Sequence, residues 1–139
     1  MTMRQKKSVA GLTLGVALAA LALMLVATGV AARSVMQPVR IEIVIEQMTF
    51  RAPDSDNPTQ VVDNPTLRVR TGQTVEIVLR SLDPGMKHDL LIPDLDLRTD
   101  AVSNGETSTI RFTAPQPGTY SYNCSMHPKL MRGELVVTE

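Results

Sequence analysis

From residue 39 onward the chain alternates apolar and polar positions with a period of two. Ile41, Ile43 and Ile45 alternate with Glu42 and Glu46, Val75, Ile77 and Leu79 alternate with Glu76 and Arg80, and Ile110 and Phe112 flank Arg111. Successive side chains of an extended strand point to opposite faces, so each run predicts a strand with one buried and one wet face. Gly118-Thr-Tyr120-Ser-Tyr122-Asn-Cys124 places Tyr120, Tyr122 and Cys124 on one such face, and Gly133-Glu-Leu135-Val-Val137 is a further run of this kind. No stretch after residue 33 has the spacing of a long amphipathic helix. Turn signals at Asn64-Pro65, Thr71-Gly72, Asp83-Pro84-Gly85, Asn104-Gly105 and Gln116-Pro117-Gly118 separate the strands at short intervals. The pattern predicts an all-β protein, an antiparallel β-sandwich or barrel. Residues 51–65, rich in Pro, Asp and Asn, read as a long irregular loop. With no Trp and few aromatics, the core must be built from Val, Ile and Leu.

The first 32 residues follow another pattern. Arg4, Lys6 and Lys7 form a basic start, and residues 8–32 carry no charge and are dominated by Ala, Leu and Val. The apolar run exceeds the roughly 7–15 residues of a cleavable signal core and approaches the roughly 20 that span a bilayer. It ends in Val30-Ala31-Ala32, a small-residue pattern that suits a signal peptidase. Residues 1–32 are therefore a signal peptide or an N-terminal hydrophobic helix anchoring the chain, and residues 33–139 form one domain. Basic residues before the segment place that domain beyond the membrane, exported to the periplasm or its extracytoplasmic equivalent.

Charge and cysteine usage narrow the function. Residues 33–139 hold all 14 acidic and 11 of the 14 basic side chains, a formal charge of about −3, which excludes a nucleic-acid binder. One cysteine cannot form an intrachain disulfide, and a leftover thiol in an oxidising compartment calls for an explanation such as metal ligation. That cysteine opens Cys124-Ser-Met-His127-Pro-Lys-Leu-Met131, close to one of only two histidines. The other, His88, shares strand parity with Leu90 and Ile92 and so should face the core. His88, Cys124, His127 and Met131 supply two imidazoles, a thiolate and a thioether, the set that makes a blue-copper electron-transfer site when the Met is a weak axial ligand. Cu(I) favours soft sulfur and Cu(II) favours nitrogen, so a rigid mixed site changes shape little between the two states.

The run from Gly105 to Val137, with Ile110-Arg-Phe112-Thr-Ala114, Pro117-Gly-Thr-Tyr120-Ser-Tyr122-Asn-Cys124, His127-Pro128, Met131 and Gly133-Glu-Leu135, resembles the copper-binding half of the cupredoxins, the plastocyanin and pseudoazurin group. The segment His88-Asp-Leu-Leu-Ile92-Pro93-Asp-Leu95 with Thr99-Asp100-Ala101 also resembles the cupredoxin domain of cytochrome oxidase subunit II. The likeness covers roughly residues 66–139. It implies a Greek-key sandwich binding one copper ion, with His88, Cys124 and His127 as strong equatorial ligands and Met131 as the weak axial one. The binuclear centre of oxidase subunit II needs two cysteines, so a single cysteine implies a mononuclear site. The family often has Asn directly after the first histidine, and here that residue is Asp89.

Other chemistries fit less well. Closed zinc sites take four Cys or His ligands, which this chain cannot supply. Asp54-Ser-Asp56-Asn57 fails as a calcium loop, because Thr59 and Pro65 stand where Gly and Glu are required, and it reads as a solvated turn. Multicopper catalysis needs further histidines, and none remain, so the chain is read as a monomeric one-electron carrier and no enzyme. Electrons would pass through the edge of His127, with Pro84, Met86, Met126, Pro128 and Leu130 as an apolar surface for transient docking of redox partners. The alternative is a protein that stores or delivers copper, and no Met-x-x-Met cluster speaks for it.

Overall fold

The computed structural model describes residues 37–139. The expected leader or anchor at residues 1–32 lies outside the described residues. Among the described residues no helix is long and apolar enough to cross a membrane.

Among the described residues ten strands form two five-stranded sheets. They are β1 (Val39–Glu46), β2 (Thr49–Pro53), β3 (Val61–Asp63), β4 (Thr66–Arg70), β5 (Thr74–Ser81), β6 (Leu91–Ile92), β7 (Leu97–Arg98), β8 (Thr107–Thr113), β9 (Gly118–Asn123) and β10 (Arg132–Thr138). The first sheet runs β3-β2-β1-β5-β8 and the second β4-β10-β9-β6-β7, with a short 3-10 turn at Pro93–Leu95. The alternating positions behave as their pattern requires. Ile43 and Ile45 of β1 and Val75, Ile77 and Leu79 of β5 are buried, as are Leu67, Val69, Tyr122, Leu135 and Val137 from the opposite sheet. The ring of Phe50 meets Tyr122 edge to face across the core, with centroids 5.5 Å apart. Such a pair is worth about 0.5–1.5 kcal/mol beyond the area it buries.

Two expectations are corrected. The sheets are mixed and not wholly antiparallel: β1 runs parallel to β5 and β10 parallel to β4. Period-two alternation fixes which face is buried but carries nothing about strand direction. Residues 51–65 are also less irregular than expected, because the end of β2 and all of β3 fall within them as an antiparallel pair. Only 54–60 form the loop, and there Asp54 Oδ1 accepts hydrogen bonds from the backbone N–H groups of Asp56 and Asn57, the solvated turn that its composition predicts.

The hairpin between β1 and β2 has a two-residue turn, Gln47 and Met48, with φ of 55° and 54°. Both central residues at positive φ mark a type I′ turn, which ordinarily calls for Asn or Gly. The carboxylate of Asp83, buried beyond the end of β5, stabilises it here. Its two oxygens accept hydrogen bonds from the Gln47 and Met48 N–H groups at 2.6 and 2.7 Å. Two charge-assisted bonds of this kind can offset the left-handed strain of two ordinary residues.

Candidate metal centre

His88, Cys124 and His127 converge at one end of the sandwich, their ligand atoms all within 4.8 Å of one another. His88 comes from the segment between β5 and β6 and is fixed by a two-way backbone bridge to Val102, with N···O distances of 3.0 and 2.8 Å. It is fully buried, as its parity with Leu90 and Ile92 predicts. Cys124 follows β9 directly and is also fully buried.

The segment between β9 and β10 is wound on itself. His127 N–H donates to the Cys124 carbonyl, and the Leu130 and Met131 N–H groups donate to the His127 carbonyl, at 3.1, 3.1 and 3.0 Å. The Cys124 N–H then closes the loop on the Met131 carbonyl at 2.9 Å. Met131 is wholly buried. Met126, immediately before His127, points outward and is 42% exposed.

The Cys124 Sγ lies 4.0 Å from His88 Nδ1 and 3.7 Å from His127 Nδ1, and the two imidazole rings are 4.9 Å apart between centroids. An ion about 2.3 Å from sulfur and about 2.0 Å from nitrogen, at tetrahedral to trigonal angles, places sulfur and nitrogen about 3.5–3.7 Å apart. The His127 distance already matches that spacing, and the His88 distance exceeds it by a few tenths of an ångström. Thiolate and two imidazoles are a donor set that suits copper.

Burial sets the protonation of these groups. Desolvation lowers the His88 pKa below the usual imidazole range, against the pull of Asp83, and a charge on His127 would lower it further. His88 is thus held in the neutral form that ligates. Desolvation likewise raises the Cys124 thiol, although backbone N–H groups of Asp89, Met126 and His127 oppose it. A metal binding there must displace a proton from sulfur.

Two carboxylates flank His88, and neither role could be read from composition. Asp89, fully buried, accepts the Ser125 N–H on Oδ1 at 2.7 Å and the Ser125 hydroxyl on Oδ2 at 2.7 Å. Arg98 reaches in from β7 to bond the same Oδ2 from Nε at 2.7 Å, and also bonds the Ser125 hydroxyl at 2.8 Å. Desolvation acts to raise the Asp89 pKa, but the bonds from Ser125 and Arg98 outweigh it and keep the group below the ordinary carboxylate range. On the far side, Asp83 Oδ2 stands 3.2 Å from His88 Nε2. Asn64, at the β3–β4 turn, tethers the loop by donating from Nδ2 to the Leu130 carbonyl at 3.0 Å.

A family model for the cupredoxin-like domain matches residues 16–137. The chain belongs to the cupredoxin-like family. Among solved structures this cupredoxin is similar to auracyanin A, a blue copper protein of the green thermophilic photosynthetic bacterium Chloroflexus aurantiacus. The two are 25% identical with a TM-score of 0.55, over 73% of this chain and 100% of that one. Two further structures share its fold. One is auracyanin from Roseiflexus castenholzii, at 20% identity and TM-score 0.53 over 73% of this chain and 98% of that chain. The other is the metal-binding domain of the Cu(I)-exporting P-type ATPase CopA of Streptococcus pneumoniae D39, at 20% identity and TM-score 0.53 over 72% and 85%. Comparison with curated protein sequences gives no match.

Proposed function

We propose that the chain is a mononuclear type 1 copper protein that carries single electrons outside the cytoplasm. The observation that carries this reading is the convergence of one cysteine sulfur and two histidine Nδ1 atoms at 3.7 and 4.0 Å, with His88 and Cys124 buried and His127 partly so. His88, Cys124 and His127 would hold the ion equatorially, and Met131 would be the weak axial ligand. Copper supplies a one-electron couple, and the likeness to a blue copper protein at 25% identity supports this choice of metal.

The protein's own part is to keep the ligands still. His88 is fixed by the Val102 bridge, and the Cys124–Met131 loop by its internal backbone bonds. A frame that does not move when the charge changes keeps the cost of reorganisation low. His127 is only partly buried, in contrast to His88, so it is the route by which electrons enter and leave. Met86, Met126 and Leu130 are exposed by 37%, 42% and 56%, with Pro84 and Pro128 exposed as well, and form the surface over which a redox partner docks transiently. The basic start and charge-free run of residues 1–32 support export, with the segment either cleaved or retained as an anchor.

The test is the visible spectrum of the purified chain with one equivalent of Cu(II), beside a Cys124→Ala control. An intense thiolate-to-copper charge-transfer band, lost in the control, is expected. A colourless protein that binds only Cu(I) would replace the carrier reading with copper delivery.

A further inference from the structure

Asp83 belongs to no motif that the copper reading uses, yet it is a buried carboxylate in contact with a metal-site histidine. Its position is set without reference to His88. The Gln47 and Met48 N–H groups hold both oxygens at 2.6 and 2.7 Å, and the Asp83 N–H donates to the Ser81 hydroxyl at 3.3 Å. His88, wholly buried, turns Nδ1 toward Cys124 and Nε2 toward Asp83 Oδ2, 3.2 Å away. That contact lacks the angle of a hydrogen bond, and among the described residues Nε2 has no hydrogen-bond partner. A buried imidazole N–H left without an acceptor is costly, and Asp83 is the acceptor at hand.

We propose that Asp83 is the positioning residue for the metal site: by accepting the His88 Nε2–H it fixes the imidazole tautomer in which Nδ1 presents its lone pair beside Cys124. The inference rests on the copper reading for its functional meaning, though not for its geometry. A histidine that ligates through one nitrogen needs the proton on the other, and an acceptor for that proton selects both tautomer and ring orientation. Asp83 does so from a rigid seat, because the same carboxylate caps the β1–β2 turn. The first hairpin of the fold and the metal site therefore share one anion.

The experiment reads the tautomer directly. In the metal-free full chain, the imidazole ¹⁵N shifts of His88 at neutral pH should show a pyrrole-type Nε2 and a pyridine-type Nδ1. Asp83→Ala also strips the turn of its support, so it is made in a Gln47→Asn/Met48→Gly background, whose turn needs no external acceptor. In that background Asp83→Ala should mix the two tautomers and weaken Cu(II) binding by about 10–100-fold, the usual cost of losing an outer-shell partner, while the melting temperature stays near that of the background. A wild-type Nδ1–H tautomer, or a tautomer unchanged by the substitution, overturns the assignment. Failure of the wild-type chain to bind Cu(II) would instead sink the copper reading, and the metal-free ¹⁵N shifts would still decide the role of Asp83.

Discussion

Asp89 and Ser125 are joined twice, the carboxylate taking both the backbone N–H and the hydroxyl of the serine at 2.7 Å. One residue follows His88 and the other follows Cys124, so the two segments of the candidate metal site are clamped together by a single buried anion. Asp89→Ala would leave the Ser125 N–H without its acceptor and Arg98 without its counter-charge. We expect a loss of about 1–3 kcal/mol, measured by denaturant unfolding of the metal-free chain. Asp89→Asn keeps the shape and removes one negative charge beside the site, which favours Cu(I). The reduction potential should rise by tens of millivolts, where about 59 mV is a tenfold change for one electron, and voltammetry reads it. A potential that falls would contradict the placement of this charge.

Tyr122 gives the fold an alkaline limit. Its hydroxyl donates to the Pro65 carbonyl at 2.5 Å, and burial holds its pKa well above the ordinary phenol value of 10.0. The folded chain keeps this proton where the unfolded chain releases it. The phenol's contribution to stability is therefore complete below about pH 10 and is lost as pH rises beyond it, by up to about 1.4 kcal/mol per pH unit. The raised Cys124 thiol acts in the same direction, so the difference between wild type and Tyr122→Phe isolates the phenol. Tyr122→Phe should cost about 1 kcal/mol at neutral pH and flatten the alkaline limb.

Gly133 lies opposite Tyr122 in the β9–β10 pair. A Cβ there would overlap the Tyr122 phenol and the Pro65 carbonyl. Gly133→Ala should destabilise the chain by about 1–3 kcal/mol through overpacking, and Gly133→Ala/Tyr122→Phe should recover part of the loss. A melting curve for each of the three variants checks this.

Asn64 combines a left-handed backbone, φ 47°, with the tether to Leu130. Asn64→Gly keeps the backbone and removes the tether, whereas Asn64→Ala adds strain of about 1 kcal/mol. Both should release copper to a chelator faster than wild type, with Asn64→Ala also the less stable. Equal release rates in all three proteins would show that the tether does not hold the loop.

The exposed apolar surface can be tested without a known partner, through electron exchange between two copies of the chain. Leu130→Glu places like charges face to face when two copies meet at this surface. Self-exchange, read by NMR line broadening, should slow by about tenfold or more with the visible spectrum unchanged. An altered spectrum would show instead that Leu130 shapes the metal site.

The strands and the candidate metal site were legible for different reasons. Ile43, Ile45, Val75 and Ile77 betray their strands because each sheet has one dry face. His88, Cys124 and His127, which the fold brings together, stand out because a chain with one cysteine and two histidines leaves few choices. The parallel pairing of β1 with β5 was not legible, since alternation is blind to direction. The Gln47-Met48 turn was hidden too, because what permits it is a carboxylate some 35 positions away. Asp83 reads in the sequence only as part of a turn signal and Asp89 only as the residue where the family often has Asn, and the folded chain shows both buried beside His88. The nature of residues 1–32 rests on their composition alone.

The backbone bond between Cys124 and Met131 continues the pairing of Asn123 with Arg132. The ladder of β9 and β10 thus runs unbroken into the two ends of the ligand loop, and residues 125–130 are a tip mounted on a finished hairpin. Such a tip is interchangeable: a longer or shorter one can be exchanged between the same two rungs while the sheet, its core and His88 stay in place. The character of the candidate metal site can therefore be changed by editing half a dozen residues, with the hundred that surround them left alone.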